Sequence, residues 1–248
     1  MAILCWIRSF IASLLFVILT LAISLLIIVE VFTVDSRKAQ DWLAEKWGLW
    51  TCHLFFIRLC AKGLENVPKE GCIFLFNHSS FFDIFSLQAL VPHLRFGAKI
   101  ELFKIPIFAE AIRRLGVLPI ARERRQEVFK IYEEAKIRFA HGDQFALAPE
   151  GTRSLEEKLR PFKSGPFVFA INSQVPVVPV VIRGAFAVMP KKRVLANSDK
   201  WTRDIYVTFL KPISTQGMTM EQKDEFQKRV HQEMEPFFKT DFAKTAKE

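Results

Sequence analysis

The sequence predicts a mixed α/β protein: a largely parallel central sheet flanked by helices, preceded by an N-terminal membrane-embedded two-helix segment. Three observations predict it. Short apolar runs alternate with helical stretches from about residue 64 onward. A run of twenty residues near the start, Phe10 to Val29, carries no charge. No internal repeat or low-complexity linker interrupts residues 64–248, which read as one domain. The expected division is 1–62 for the membrane-anchoring helices and 63–248 for the α/β domain.

The uncharged run is interrupted only by Ser13, Thr20 and Ser24. At about 1.5 Å per residue it makes a helix of roughly 30 Å, the hydrocarbon thickness of a bilayer. Arg8 precedes the run as in a signal peptide, but the run is longer than a usual signal core and no A-x-A cleavage site follows. After a polar break at Asp35 to Asp41 comes a second segment, roughly 39–61. It carries Trp42, Trp47 and Trp50 with Glu45, Lys46 and Arg58 interspersed. Tryptophan at that density marks a membrane interface. Either the two helices form a hairpin dipped into one leaflet, or the first spans and the second lies flat. The hairpin, which keeps both ends on the side of the basic body, is the favoured reading.

In the body, strands are expected at 71–76, 94–98, 117–120, 143–148, 177–183 and 205–210. Each is short and rich in β-branched or aromatic residues. Between them, 123–140 aligns Val128, Ile131, Tyr132, Ala135 and Phe139 on one helical face and stops at Gly142. The stretch 219–238 opens with the capping pattern Thr219-x-x-Gln222 and lines up Phe226, Val230, Met234 and Phe237. In Val175-Pro176-Val177-Val178-Pro179-Val180, one proline is expected at a strand entrance or an edge, because proline lacks a ladder donor.

The 248 residues suffice for one sizeable domain and an appendage. Net charge is +9, and residues 1–60, with five basic and four acidic side chains, leave +8 to the body. Such a body suits nucleic acid, anionic lipid or a phosphorylated substrate, and charge alone does not choose among them. Cys5, Cys52, Cys60 and Cys72 show no C-x-x-C or metal-finger spacing, which indicates a reducing compartment without a disulfide framework.

Two constellations carry chemistry. Asn77-His78-Ser79-Ser80-Phe81-Phe82-Asp83 follows the strand 71–76. On an ideal helix five positions turn through about 500°, leaving His78 and Asp83 about 140° apart. A turn after the strand, with a helix starting near Ser79 or Ser80, lets them meet. His78 then lies at the carboxyl end of a strand, where open α/β sheets place their sites. There Asp83 fixes the imidazole tautomer for general-base work. Such a pair is more often a cap or a surface contact when taken alone. Pro149-Glu150-Gly151-Thr152-Arg153-Ser154 follows the strand 143–148, exposing backbone amides near Gly151 and offering Arg153 as a planar fork for phosphate. An ordinary turn is the plain alternative. Arg122 and Lys99 follow two further strands, so three cations after three strands converge on one anion.

Together these residues resemble the 1-acyl-glycerol-3-phosphate acyltransferase (lysophosphatidic acid acyltransferase) family, from about Leu64 to Phe209. The family's N-H-x4-D motif is similar to Asn77-His78 to Asp83, its G-x-x-x-I-x-R motif to Gly116, Ile120 and Arg122, and its F-P-E-G-T-R-S motif to Ala148 to Ser154. Its V-P-I-V-P-V motif matches Val175 to Val180, and Ala98 to Pro106 resembles its lysine segment. Ala148 stands where the family usually has Phe, a packing position whose change alters the wall beside the substrate. The resemblance implies His78 as general base with Asp83 as its partner. It implies Glu150, Gly151, Thr152, Arg153, Arg122 and Lys99 in substrate binding, no metal and no cofactor. The acceptor is lysophosphatidic acid, and the donor is an acyl thioester on acyl carrier protein or coenzyme A. The basic residues Arg124, Arg125, Lys191, Lys192 and Arg193 are candidates for docking that donor, or else a solvated face near anionic lipid. The bilayer, and not nucleic acid, is the expected partner, with attachment to the cytoplasmic face of the inner or plasma membrane. Three other readings compete. One is a relative using glycerol 3-phosphate or another lysophospholipid. Another is a serine hydrolase through Ser79 or Ser80, although no G-x-S-x-G elbow is present. The third is a non-enzymatic basic membrane-surface adaptor.

Overall fold

The structure, a computed structural model, describes residues 2–33, 36–120 and 125–239. It opens with two helices, α1 (Ala2–Thr33) and α2 (Arg37–Leu54), and a strand, β1 (Ile57–Lys62). There follow β2 (Ile73–Phe76), α3 (Phe82–Leu90), β3 (Leu94–Lys99), α4 (Phe108–Arg114), β4 (Leu118–Ile120), α5 (Arg125–Phe139) and β5 (Gln144–Leu147). The chain continues through α6 (Gly165–Ser173), β6 (Val177–Arg183), α7 (Ala185–Val188), β7 (Arg203–Phe209), α8 (Lys223–Met234) and α9 (Pro236–Lys239).

The strands form one sheet in the order β1-β7-β6-β2-β5-β3-β4. Only β6 and β7 run antiparallel to one another; every other neighbouring pair is parallel. The sheet is therefore mixed and largely parallel, as the sequence predicts. Strands β2 and β5 are buried along their whole length, which explains their unbroken apolar sequences. Side chains alternate between two cores. Phe74 and Phe76 face one with Phe82, Phe85 and Val180, whereas Ile73 and Leu75 face the other with Phe145, Phe169, Phe226 and Val230. Pro176 immediately precedes β6 and its carbonyl accepts from Ile73, while Pro179 sits inside β6 with only its carbonyl engaged, by Leu210.

The N-terminal helices differ from expectation in one respect. The second helical segment, expected over 39–61, ends at Leu54. Phe56 turns the chain with φ of 57°, and Ile57–Lys62 pairs in parallel with β7. The Arg58–Asp204 ion pair, 2.6 Å, crosses that pairing. The apolar run Leu54 to Leu59 hides this change from helix to strand, because short apolar runs carry no decisive period. The expected boundary at 62/63 thus falls after a strand that belongs to the sheet.

Helix α1 is long and apolar enough to cross a membrane by length and composition. It does not stand free of the body. Cys5, Ser9, Ala12, Ile23, Ser24 and Ile27 form a buried stripe at helical spacing. Phe16 continues the stripe against the core, and Thr20 accepts the indole N–H of Trp47 at 3.0 Å. At one end Arg8 donates to the carbonyls of Asn197 and Trp201, and Ser9 to that of Ala196. At the other, Ile23 and Ile27 pack with Leu43 of α2 and Ala111 of α4. The remaining faces, including Leu14, Val17, Ile18, Leu21 and Leu25, are exposed. Trp42 and Trp50 are exposed on α2, whereas Trp47 points inward onto Phe85.

Ionic contacts bind α2 to the sheet. The carboxylate of Asp41, on α2, is buried against the guanidinium of Arg95, which is 1% exposed, and accepts from His93 Nδ1 at 2.6 Å. Arg95 also faces Asp143 at 3.5 Å, and Asp143 is held in turn by Arg37 and Arg138.

Candidate active site

The candidate site lies at the carboxyl ends of the parallel strands. Immediately after β2, the Asn77 side chain donates to the Ile182 carbonyl at 2.8 Å and accepts from its N–H at 2.7 Å. It thereby extends the β2–β6 ladder by one rung while the backbone turns away. His78 is next, with its ring 5.7 Å from Phe76, edge to face.

Helix α3 begins at Phe82, two to three residues later than the sequence suggests, and the turn before it brings His78 Nδ1 to 2.9 Å from Asp83 Oδ2. The same carboxylate oxygen accepts the N–H groups of Ser79 at 2.7 Å and Ser80 at 2.8 Å. Asp83 is fully buried in the first turn of α3, where the helix dipole favours a negative charge. His78 Nδ1 is occupied by Asp83, leaving Nε2 as the ring nitrogen available for proton transfer. Ser79 and Ser80 are themselves buried, and Ser80 Oγ donates to the Met189 carbonyl at 3.1 Å. Neither is presented as a nucleophile.

The loop after β5, neighbour of β2, grips His78 through its backbone. Glu150 Oε1 accepts the His78 N–H at 2.9 Å, and the Ser154 N–H donates to the His78 carbonyl at 2.7 Å. Glu150 is 3% exposed. Burial pushes its carboxyl up to about 7, reinforced by the nearby Asp83 charge and opposed by the His78 and Arg160 backbone N–H groups and the Arg160 charge. The expectation that Glu150 contacts the acceptor is not matched by its position: the carboxylate faces inward onto the backbone of His78.

Gly151 adopts φ of +73°, and its N–H closes a turn onto the Ala148 carbonyl at 3.0 Å. This amide, expected to be exposed, is therefore engaged, while those of Thr152 and Arg153 have no acceptor among the described residues. A Cβ on Gly151 would come within 3.1 Å of the Lys163 side chain. Thr152 Oγ1 accepts from Lys191 Nζ at 3.3 Å. The Arg153 guanidinium lies 4.0 Å from the Phe81 ring centroid. Partial burial lowers its pKa from the ordinary value and the Asp83 carboxylate raises it, with burial the larger effect. It is still cationic at neutral pH.

Lys99 ends β3 on the same edge of the sheet, but it is exposed, paired with Glu101 at 3.0 Å, and two strands removed from β2. Arg122 lies outside the described residues, as does Arg124. The strand before them, β4, pairs in parallel with β3. The convergence of cations is thus seen at Arg153, with Lys191 and Lys163 beside it. Sequence reasoning missed Lys163, which no pattern marks; it arrives because its N–H returns to the Pro149 carbonyl at 2.8 Å. Among the described residues no cluster of His, Cys, Asp and Glu suited to a metal ion occurs.

A family model described as Acyltransferase matches residues 58–183, about half of the chain. The chain is 33% identical to a chloroplastic 1-acyl-sn-glycerol-3-phosphate acyltransferase of Brassica napus, over 62% of this chain and 45% of that one. It is 32% identical to a 1-acyl-sn-glycerol-3-phosphate acyltransferase of Saccharomyces cerevisiae, over 69% and 57% respectively. The chain spans about half the length of the curated relatives it matches. Among solved structures, the 1-acyl-sn-glycerophosphate acyltransferase of Thermotoga maritima superposes with a TM-score of 0.70 at 28% identity, covering 92% of this chain and 96% of that one.

Proposed function

The chain belongs to the Acyltransferase family, and from that premise we propose that it transfers an acyl chain from a thioester to the sn-2 hydroxyl of lysophosphatidic acid, giving phosphatidic acid. The observation that carries the reading is the His78–Asp83 pair at the end of β2, gripped by a loop bearing the guanidinium of Arg153.

His78 Nε2 takes the proton of the acceptor hydroxyl as the oxygen attacks the thioester carbonyl. Asp83 holds the ring's tautomer and stabilises the imidazolium that forms. The tetrahedral intermediate collapses by breaking the carbon–sulfur bond, and the proton on Nε2 passes to the departing thiolate. The Thr152 and Arg153 amides are donors suited to the oxyanion. Arg153, with Lys163 and Lys191, supplies positive charge for the acceptor phosphate, and Arg122 and Lys99 are assigned to the outer part of that subsite. The donor is an acyl thioester of acyl carrier protein or coenzyme A, and neither metal nor cofactor enters the chemistry.

Helices α1 and α2 are the membrane attachment of the 63–248 domain, together with β1, at the cytoplasmic face. Burial of a stripe along α1 supports a hairpin in one leaflet over a span, since a spanning helix would leave the body after its first turns.

The test is acyl transfer to lysophosphatidic acid, glycerol 3-phosphate and a larger-headed lysophospholipid, with one thioester. His78→Ala is expected to fold and to lose about 10²–10⁴-fold or more in turnover. Near-normal turnover by that variant, or preference for another acceptor, would refute the reading.

A further inference from the structure

Glu150 belongs to the loop that the functional reading treats as acceptor-binding, yet its carboxylate does not look into the cleft. It is 3% exposed, and its Oε1 is 2.9 Å from the His78 backbone N–H. The cleft-side groups of the same loop are Thr152, in contact with Lys191, and Arg153, stacked on Phe81. A carboxylate among them would repel a phosphate dianion, whereas a buried one bonded to a backbone N–H does not meet it.

What Glu150 does touch is the residue that carries the proton. His78 is attached at three points: its N–H to Glu150, its carbonyl to the Ser154 N–H at 2.7 Å, and its Nδ1 to Asp83. Two of the three come from the loop after β5, so that loop sets where the β2 loop, and hence the imidazole, stands. The third fixes only the ring. Asp83 has its own supports in the Ser79 and Ser80 amides. Without Glu150, the segment from His78 to Ser80 keeps its local turn but loses one of its two ties to the neighbouring strand's loop.

We propose that Glu150 is a positioning residue for His78, acting as a hydrogen-bond acceptor for its backbone N–H, and not a ligand of the acceptor. This rests on the acyltransferase reading above. Its requirement is an acceptor oxygen at that point, not a charge, so glutamine, which keeps an oxygen there, serves in its place. Misplacement of a reacting group by about 1 Å lowers turnover by roughly 10²-fold, and that loss falls on kcat because the acceptor's own contacts are untouched.

Glu150→Ala and Glu150→Gln are assayed in the full chain with lysophosphatidic acid as the varied substrate. Expected are a fall in kcat of about 10²-fold for alanine with the acceptor KM within about threefold of wild type, and recovery of most of that loss in the glutamine variant. An acceptor KM raised tenfold or more at retained kcat in either variant would overturn the proposal, as would a folded glutamine variant as inactive as alanine. If the alanine variant does not fold, the KM–kcat split of Glu150→Gln decides alone. Wild-type protein inactive on every thioester would instead overturn the acyltransferase reading. In that case the rate at which diethyl pyrocarbonate carbethoxylates His78, located by mass spectrometry, still tests the positioning. The alanine variant, or the glutamine variant with histidine present as internal standard elsewhere in the chain, is compared with wild type. A rate changed severalfold by alanine and not by glutamine is expected, and an unchanged rate in alanine overturns it.

Discussion

Replacing Glu150 by glutamine should change how stability depends on pH, in a direction set by the burial of the carboxyl. Its pKa is raised from 4.5 to about 7. Between those pH values the folded chain keeps a proton that the unfolded chain has released, so stability falls as pH rises through this window. The contribution is absent below the unfolded value and complete once pH exceeds about 7. A difference of some 2.5 pKa units corresponds to about 3 kcal/mol. Glutamine has no such proton, while its side-chain oxygen still meets the His78 N–H. Relative to wild type, Glu150→Gln should therefore gain about 2–3 kcal/mol between pH 5 and pH 8. For a chain of this size that is roughly 5–10 °C in unfolding temperature. Circular dichroism melts of both proteins in the same detergent at the two pH values measure it, because every other titrating group is shared and cancels in the comparison. An equal difference between the two proteins at pH 5 and pH 8 would refute the assigned cause.

Two further outcomes follow from contacts elsewhere. Asp41→Asn leaves the buried Arg95 guanidinium with Asp143, at 3.5 Å, as its remaining carboxylate; the loss is expected to be about 3–5 kcal/mol, read as a lower unfolding midpoint, and an unchanged midpoint would count against it. Arg153→Lys removes the planar fork and the stacking on Phe81; it should raise the acceptor KM by about tenfold or more while kcat changes little, and a fall in kcat at constant KM would assign Arg153 to a different role.

The parts of the fold that were legible in the sequence are those where one physical signal dominated. β2 and β5 are buried on both faces, so their apolar runs stand out, and Thr219 and Gln222 do form the reciprocal cap expected of them. β1 was not legible, because Phe55, Phe56 and Ile57 are apolar in a helix and in a strand alike, and only the left-handed Phe56 separates the two. At the site, the spacing of His78 and Asp83 was informative because helical geometry forbids their contact and a strand-end turn allows it. The inward aim of Glu150 had no such signal: a carboxylate beside glycine and arginine reads as a surface turn, and only its contact with a backbone N–H from another strand reveals its direction. Lys163 was hidden for the same reason, its place being set by a hydrogen bond to Pro149 fourteen residues earlier in the chain.

The seat of α1 has a consequence for the order in which the molecule can be made. Ser9 is anchored on the carbonyl of Ala196, 187 residues further along the chain, and β1 cannot pair until β7 has been synthesised. At about 5–20 residues per second, the ribosome takes some 10–40 s to supply the partners of a helix already outside it. Throughout that interval an apolar helix has no protein surface to rest on, and water is the least favourable place for it. A bilayer covers the helix at once. Insertion would then come before closure of the sheet, and the last step of folding, the docking of residues 196–201 and β7 onto a helix already in lipid, would take place at the membrane surface.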